Sequence, residues 1–319
     1  MKSDAVHQTK SSNRLSPPFP THIAGELHCY DEHLRDVIGL ADRTRKGRLR
    51  VAGLLLQEIF KKRAIEIARL RPEDIRQFIA ARTGAPRSVA HTSHMATSLR
   101  SYLRYRATCG DEVGRLTAVI LNPVHWKLAS LPRALKAEDT ERLLGTVAAA
   151  RRWPKRNYAI VRCALDMGLR VGEIAHLTLD DIDWRAGTMT LRGTKSLRRD
   201  VLPLPLATGE ALADYLQHER TATCHTALFI RQLAGKDRQI TSWAIQKVIK
   251  RALGRIGLSQ SSAHALRHTV ACRLVENGSS LKEVADLLRH RSLNSTQIYA
   301  KLDISKLTGV ALPWPGSTP

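Results

Sequence analysis

A series of short motifs in the second half of the chain constrains its fold more than any other feature of the sequence. The segment 168–174 (Gly-Leu-Arg-Val-Gly-Glu-Ile) is typical of a helix start, and Thr194-Lys195 stands in the turn of a predicted β-hairpin. The segment 264–269 (His-Ala-Leu-Arg-His-Thr) begins another helical pattern, and 288–292 precedes Tyr299 by a short stretch with helix-start signals. This order predicts a helical domain that carries one small β-hairpin.

The polar members of these motifs suit attack on a phosphodiester. Two guanidiniums can hold the non-bridging oxygens through paired hydrogen bonds. A lysine can protonate a leaving alkoxide, histidines can donate or shuttle protons, and a tyrosine hydroxyl can be the nucleophile. The candidate site residues are Arg170, Lys195, His264, Arg267, His290 and Tyr299. The sequence offers no carboxylate cluster for Mg²⁺, so we expect the arginines to stabilise the transition state instead.

Tyr299 needs help to act as a nucleophile, because a free tyrosine hydroxyl has a pKa of about 10. We expect the field of Arg170, Arg267 and His290 to favour its phenolate form. We expect Lys195, at the hairpin tip, to protonate the leaving oxygen. Glu173 is expected to support the helix that begins at Arg170.

Together these motifs resemble the catalytic domain of the tyrosine recombinases, also called the phage integrase family, over roughly residues 131–310. The resemblance implies that the tyrosine attacks a DNA phosphate and forms a 3′-phosphotyrosyl link with a free 5′-hydroxyl. Another strand's hydroxyl then reverses the step, so neither ATP, metal nor any other cofactor is required. By motif match the six residues take the family's roles. One departure is the hairpin turn, which is commonly glycine-rich in the family but here continues as Ser196-Leu197-Arg198-Arg199.

The resemblance also implies partners. A homo-tetramer would bring two double-stranded DNA sites together, and a C-terminal segment, here 301–314, would pack on the neighbouring subunit. The formal net charge of +22 is shared by both halves of the chain, which fits a protein that holds a polyanion from two sides. Basic clusters at 43–50 and 61–63 are predicted phosphate contacts.

The predicted fold is mainly α, with a small β-sheet or hairpin in the C-terminal domain. A helical core DNA-binding domain precedes an α+β catalytic domain. Helices are predicted near 72–80, 86–107, 136–147 and 158–167 from apolar periodicity and start signals. The predicted boundaries are a flexible arm at 1–20, the helical domain at 21–112, a linker at 113–132, and the catalytic domain with its tail at 133–319.

The function that the resemblance implies is that of a site-specific DNA recombinase of the integrase or resolvase type. Two other functions are alternatives. A type IB topoisomerase-like enzyme would share the chemistry, and a DNA-binding regulator would have a decayed site. His264 and His268 have metal-ligand spacing, but the glutamate of a His-Glu-x-x-His motif is missing, so we expect no metal site. Five scattered cysteines without a Cys-x-x-Cys motif, and no apolar stretch long enough to span a bilayer, predict a cytoplasmic protein.

Overall fold

The computed structural model describes residues 19–83, 89–121, 134–192, 199–231, 237–290 and 296–302. Residues 300–302 are described by their backbone alone. The chain divides into two compact units, Met1–Trp126 and Lys127–Pro319. Within the described parts, no helix is both long and apolar enough to cross a bilayer. As the sequence predicts, the protein is mainly α-helical with small antiparallel sheets.

The N-terminal unit is helical throughout its described secondary structure. Its α-helices are α1 (Thr21–Glu32), α2 (Asp42–Phe60), α3 (Pro72–Thr83), α4 (Val89–Thr108) and α5 (Gly114–Ala118). Pro72 occupies the first turn of α3, where its missing N–H costs nothing, and Glu73 and Asp74 lie at the positive end of the helix dipole. Ile75 and Phe78 are buried, as the apolar spacing predicts.

The core of this unit extends beyond the predicted domain boundary. Val113, Leu116 and Ile120 are buried among the apolar side chains of the other N-terminal helices. They lie within 113–132, the range that the sequence pattern assigns to a linker. Prolines at 123 and 132 suggested a linker, but the apolar spacing before them builds one more short helix, α5, onto the core. The remaining boundaries stay predictions.

The C-terminal unit combines helices with a three-stranded antiparallel sheet. Its elements are α6 (Ala137–Ala148), α7 (Pro154–Asp166), α8 (Val171–His176), β1 (Ile182–Asp183), β2 (Thr188–Arg192), β3 (Arg199–Pro203), α9 (Leu206–His218), β4 (Ile230–Arg231), β5 (Arg238–Gln239), α10 (Ser242–Arg255), α11 (Ala263–Glu276) and α12 (Leu281–Leu287). A 3-10 turn spans Gln297–Leu302.

The predicted hairpin is present in the C-terminal unit. Strands β2 and β3 pair antiparallel, with Met189 opposite Leu202 and Arg192 opposite Arg199. Met189, Leu191 and Leu202 face the core, because alternate residues of a strand point to the same side. The turn that joins the strands, 193–198, lies outside the described residues.

Helix α7 positions the candidate site. It is buried along most of its length and packs against α6, α9 and α11. The helix stops before Gly168, which adopts a left-handed conformation with φ of +60°. The chain then turns directly into α8, so the end of α7 and the start of α8 are fixed by the same core.

Candidate active site

Arg170 lies at the start of α8 and is held by a residue of the same helix. Its backbone N–H donates to Glu173 Oε2 at 2.8 Å, and its Nη1 donates to Glu173 Oε1 at 2.7 Å. Glu173 thus closes the first helical turn, as the sequence predicts. It also orients the side chain of Arg170. The side chain of Arg170 remains 40% exposed. It can therefore reach a ligand at the surface.

Arg267 is buried on α11, and backbone carbonyls hold its guanidinium. Its Nη1 donates to the carbonyl of Gly168 and its Nη2 to the carbonyl of Leu288. A Cβ added to Gly168 would lie 2.7 Å from Leu288 Cδ2, so the two turns touch here. Burial, and then repulsion by Arg170, lower the pKa of Arg267 to about 9. The guanidinium is still mostly protonated at neutral pH.

The turn that follows α12 holds both arginines. The carbonyl of Leu288 accepts from Arg267, and the next carbonyl, that of Arg289, accepts from Arg170 Nη2 at 3.2 Å. Arg289 itself has φ of +53°, a left-handed conformation that is uncommon for a residue with a side chain. Consecutive carbonyls of one turn therefore fix the two predicted phosphate-binding groups.

Arg289 is a further arginine at this site, one that the sequence motifs do not single out. Its Nη2 donates to Glu173 Oε2 at 2.7 Å, and its Nη1 donates to the carbonyl of Leu287 at 2.8 Å. Burial would raise the pKa of Glu173, but attraction by Arg289 and hydrogen bonds from Arg170 outweigh it and lower the pKa. The carboxylate of Glu173 is thus shared by two guanidiniums. The arginine is visible in the sequence directly before His290, but only the fold reveals this contact.

His290 is a neutral imidazole beside the arginines. Its Nδ1 lies 2.7 Å from Thr296 Oγ1, which fixes the ring. Burial and the charges of Arg267, Arg170 and Arg289 lower its pKa to about 4. When Nδ1 accepts from Thr296, Nε2 carries the proton and can donate it to a phosphate oxygen. The expectation that His290 adds positive charge to the site is therefore wrong at neutral pH.

Tyr299 is buried in the 3-10 turn, at 2% exposure, and its hydroxyl oxygen lies 2.6 Å from His268 Nδ1. Burial and the nearby Cys272 raise its pKa to about 12, and Arg267 offsets only part of this. The expected stabilisation of a phenolate is thus contradicted for this state, because desolvation outweighs the nearby cation. The hydroxyl is fully protonated here.

The remaining predicted site residues differ in how they are placed. His264 lies in the first turn of α11, is exposed, and acts on His268, whose pKa is lowered by burial and then by His264 and Arg267. The sequence indicates that His268 either packs in the core or supports a site residue, and the structure places it in the supporting position, against the hydroxyl of Tyr299. Lys195 lies outside the described residues. The structure thus brings Arg170, Arg267, His290 and Tyr299 into one neighbourhood.

The site has the donors for an anion and few ligands for a cation. Among the residues described at the site, the carboxylate is that of Glu173, and it is already shared by Arg170 and Arg289. Among the residues that the structure describes, no group of three or more His, Cys, Asp or Glu side chains could hold a metal ion. The arrangement can bind a phosphate oxygen through N–H donors, and the hydroxyl of Tyr299 is buried nearby.

Known proteins are similar to this chain in sequence and in fold. The model of the phage integrase family matches residues 133–306. A Sinorhizobium fredii protein named as an integrase/recombinase, y4rA, is 33% identical over 93% of this chain and 72% of its own length. The tyrosine recombinase XerC of Thermodesulfovibrio yellowstonii is 28% identical over 80% of this chain and 85% of its own.

Two solved structures match the architecture. The site-specific recombinase XerH bound to a palindromic difH substrate superposes with a TM-score of 0.66 at 20% identity, over 90% of this chain and 83% of that one. A lambda integrase dimer bound to a core site gives 0.67 at 16% identity, over 91% of this chain and 79% of that one. At such identities the likeness shows the fold.

Proposed function

Because the chain belongs to the phage integrase family of tyrosine recombinases, we propose that it is a site-specific DNA recombinase of the integrase or resolvase type. It cleaves and rejoins duplex DNA through a 3′-phosphotyrosyl intermediate at Tyr299. The observation that carries the proposal is the turn after α12, whose successive carbonyls at Leu288 and Arg289 hold the two arginines directly before His290. Such a site binds the anionic transition state of phosphoryl transfer.

Each described group has a part in the cleavage step. Arg170 and Arg267 hold the non-bridging oxygens of the scissile phosphate, since each guanidinium has five N–H donors and uses only some of them within the protein. His290, as a neutral ring, donates a further hydrogen bond. Donors placed before the reaction stabilise developing charge without reorganisation, and losing one typically slows a reaction by about 10²–10³.

The bond changes are balanced within the site and the DNA. The hydroxyl oxygen of Tyr299 attacks phosphorus, and the bond from phosphorus to the 5′-oxygen breaks. The phenol of Tyr299 releases its proton to solvent, and the leaving 5′-oxygen takes a proton from Lys195, which we assign as the donor and which solvent then reprotonates. The ester energy stays in the phosphotyrosyl link, so rejoining by another strand's hydroxyl needs no ATP. We infer that no metal or other cofactor takes part.

A basic cavity in the C-terminal unit supports the assignment of duplex DNA as partner. The cavity measures about 450 Å³, and five of its lining residues are cations with no ion pair among the described residues: Arg152, Arg156, Arg231, Lys247 and Arg251. Trp243 in the same wall is 61% exposed and lies under Lys247 Nζ, 3.7 Å from its ring centroid. DNA phosphates would neutralise this excess of charge.

The solved relatives XerH and lambda integrase are described as bound to their DNA sites. By this analogy we infer that the present chain binds duplex DNA at specific sites, and from the family resemblance that four copies assemble on two such sites and exchange strands. The C-terminal tail, 303–319, lies outside the described residues, and its packing on a neighbouring subunit stays part of this proposal. A protein of a mobile element acting in the cytoplasm fits the same assignment.

Covalent trapping tests the proposed function. The protein is incubated with a pool of nicked duplexes of randomised sequence, which release a short strand after cleavage, and adducts that survive detergent are sequenced. Wild type should give adducts with or without EDTA, Tyr299→Phe should give none, and Tyr158→Phe, at a half-buried tyrosine outside the site, should behave as wild type. Loss of adducts in EDTA, or attachment to another residue, would contradict the proposal.

The same reagents separate recombination from topoisomerase activity. A site-specific recombinase should leave a supercoiled plasmid intact unless it carries the recovered sequence. Relaxation of plasmids that lack this sequence would favour a type IB topoisomerase-like enzyme, and binding without any adduct would favour a regulator.

A further inference from the structure

Arg289 occupies a position that is unfavourable for an arginine. Its backbone is left-handed, at φ of +53°, where glycine fits without strain. Its side chain is only 9% exposed, and among the described residues its buried Nε has no hydrogen-bond partner. Strain and an unpaired polar atom both oppose this arrangement, so some interaction must favour the arginine.

The favourable interaction is the ion pair with Glu173. Without Arg289, the carboxylate of Glu173 would face Arg170 alone and would neutralise it. With Arg289, one carboxylate oxygen pairs with each guanidinium: Oε1 lies 2.7 Å from Arg170 Nη1 and Oε2 lies 2.7 Å from Arg289 Nη2. The group of three therefore keeps a net positive charge, and Arg170 remains able to attract an anion.

Arg289 also acts on Arg170 through its backbone. Its carbonyl accepts from Arg170 Nη2 at 3.2 Å, while Glu173 accepts from Nη1. One terminal nitrogen of Arg170 is thus held by the carbonyl of Arg289, and the other by the carboxylate of Glu173, which Arg289 orients. A guanidinium fixed at both ends loses little freedom when a phosphate binds.

We propose that Arg289 is a positioning residue for strand cleavage, which acts by sharing Glu173 and so keeps Arg170 both oriented and positively charged for the scissile phosphate. This inference rests on the proposed function. Arg289 does not touch the phosphate in this assignment, because its terminal nitrogens are already bound to Glu173 and to the carbonyl of Leu287.

Substitutions at 289 separate the side chain from the backbone. Arg289→Gly keeps the left-handed turn, and with it the carbonyl, but removes the ion pair. Arg289→Lys keeps the charge without the fork of donors and serves where the glycine variant fails to fold. Arg142→Ala, which removes an exposed arginine of α6, is the control. Melting temperatures show which variants are folded.

The first readout is the single-turnover rate of adduct formation at saturating DNA, compared with the affinity for the same DNA. We expect Arg289→Gly to slow cleavage by about 10²-fold while DNA affinity changes little, because a misplaced group costs rate more than binding. Arg289→Lys should recover part of the loss. Cleavage at the wild-type rate in Arg289→Gly, or an equal loss of DNA affinity, would overturn the inference.

A double-mutant cycle tests the route through Glu173. Glu173→Gln should slow cleavage, and adding Arg289→Gly to it should cause little further loss, because both changes break the same link. If the rate losses of the two single variants multiply in the double variant, the inference is overturned.

A second readout does not depend on DNA cleavage. Binding of inorganic phosphate is measured by calorimetry, with Arg170→Ala defining the background from other basic sites. Arg289→Gly should weaken the Arg170-dependent binding about tenfold. If wild type forms no adduct but this weakening is seen, the proposed function fails and the positioning role stands. Unchanged phosphate binding refutes the positioning role.

Discussion

The hydroxyl oxygen of Tyr299 lies 2.6 Å from Nδ1 of His268, within the buried cluster formed by α11, α12 and the 3-10 turn. The tyrosine is 2% exposed, so its hydroxyl is shielded from a DNA phosphate in this state. In this state the proposed nucleophile is protonated and held by a histidine.

Substitution of His268 should reveal how its ring acts on Tyr299. The pKa of His268 is lowered by burial, which makes the ring a poor base, so we expect its main role to be a hydrogen bond that orients the hydroxyl. Asparagine places a polar group near the position of Nδ1, so His268→Asn should cleave within about tenfold of wild type, whereas His268→Leu should lose about 10²-fold. Rates of adduct formation measure this; equal losses in both variants would indicate proton transfer instead.

The low pKa of His290 should appear in the pH dependence of stability. Its pKa is about 4 in the folded protein and about 6.5 in the unfolded chain, so its contribution is present above pH 6.5 and lost as the pH falls towards 4. We expect His290→Asn to remove about 2 kcal/mol of this acid-induced loss, allowing for the partial exposure of the ring. Urea unfolding at pH 7 and pH 4.5 measures the difference, and identical pH profiles would argue against it.

Gly168 should tolerate no side chain. Alanine there would be strained at φ of +60°, and its Cβ would lie 2.7 Å from Leu288 Cδ2. Gly187 is the matched control, since it has φ of +63° and nothing within 4 Å of an added Cβ. We expect Gly187→Ala to cost about 1–2 kcal/mol for the backbone, and Gly168→Ala about 1–3 kcal/mol more for the contact. Denaturant unfolding measures both losses of stability. Equal losses would show that the side chain of Leu288 moves away from the added Cβ.

The basic cavity should contribute to the salt dependence of DNA binding. Each phosphate contact adds about 0.9 to the slope of log affinity against log salt concentration. Lys247→Ala and Arg251→Ala should each lower the slope by about one and weaken binding to all sequences alike, because these residues line the cavity without ion pairs among the described residues. Fluorescence anisotropy from 50 to 300 mM salt tests this, with Arg142→Ala as control. If the salt dependence of affinity is unaltered in both variants, DNA does not bind at this cavity.

The sequence was sufficient to predict what depends on neighbours along the chain. The start of α3 at Pro72 and the pairing of β2 with β3 follow from local patterns, and the structure confirms them. These features depend on a few adjacent residues and on one periodicity, so distant contacts cannot easily change them.

Contacts between distant segments could not be read from the sequence. Arg289 reaches Glu173 across more than a hundred residues, and nothing in the local motif distinguishes it from a surface arginine. The protonation of Tyr299 was predicted in the wrong direction, because the sequence shows the nearby cation but not the burial that outweighs it. For the same reason the sequence could not show which residue His268 contacts.

The shared turn after α12 also has a mechanical consequence. Because the carbonyls of Leu288 and Arg289 are adjacent in one peptide segment, any displacement of that segment shifts the supports of Arg170 and Arg267 in concert. A partner that displaces the end of α12 would therefore change the positions of both phosphate-binding arginines together. A site with only one of the two arginines in place would be rare.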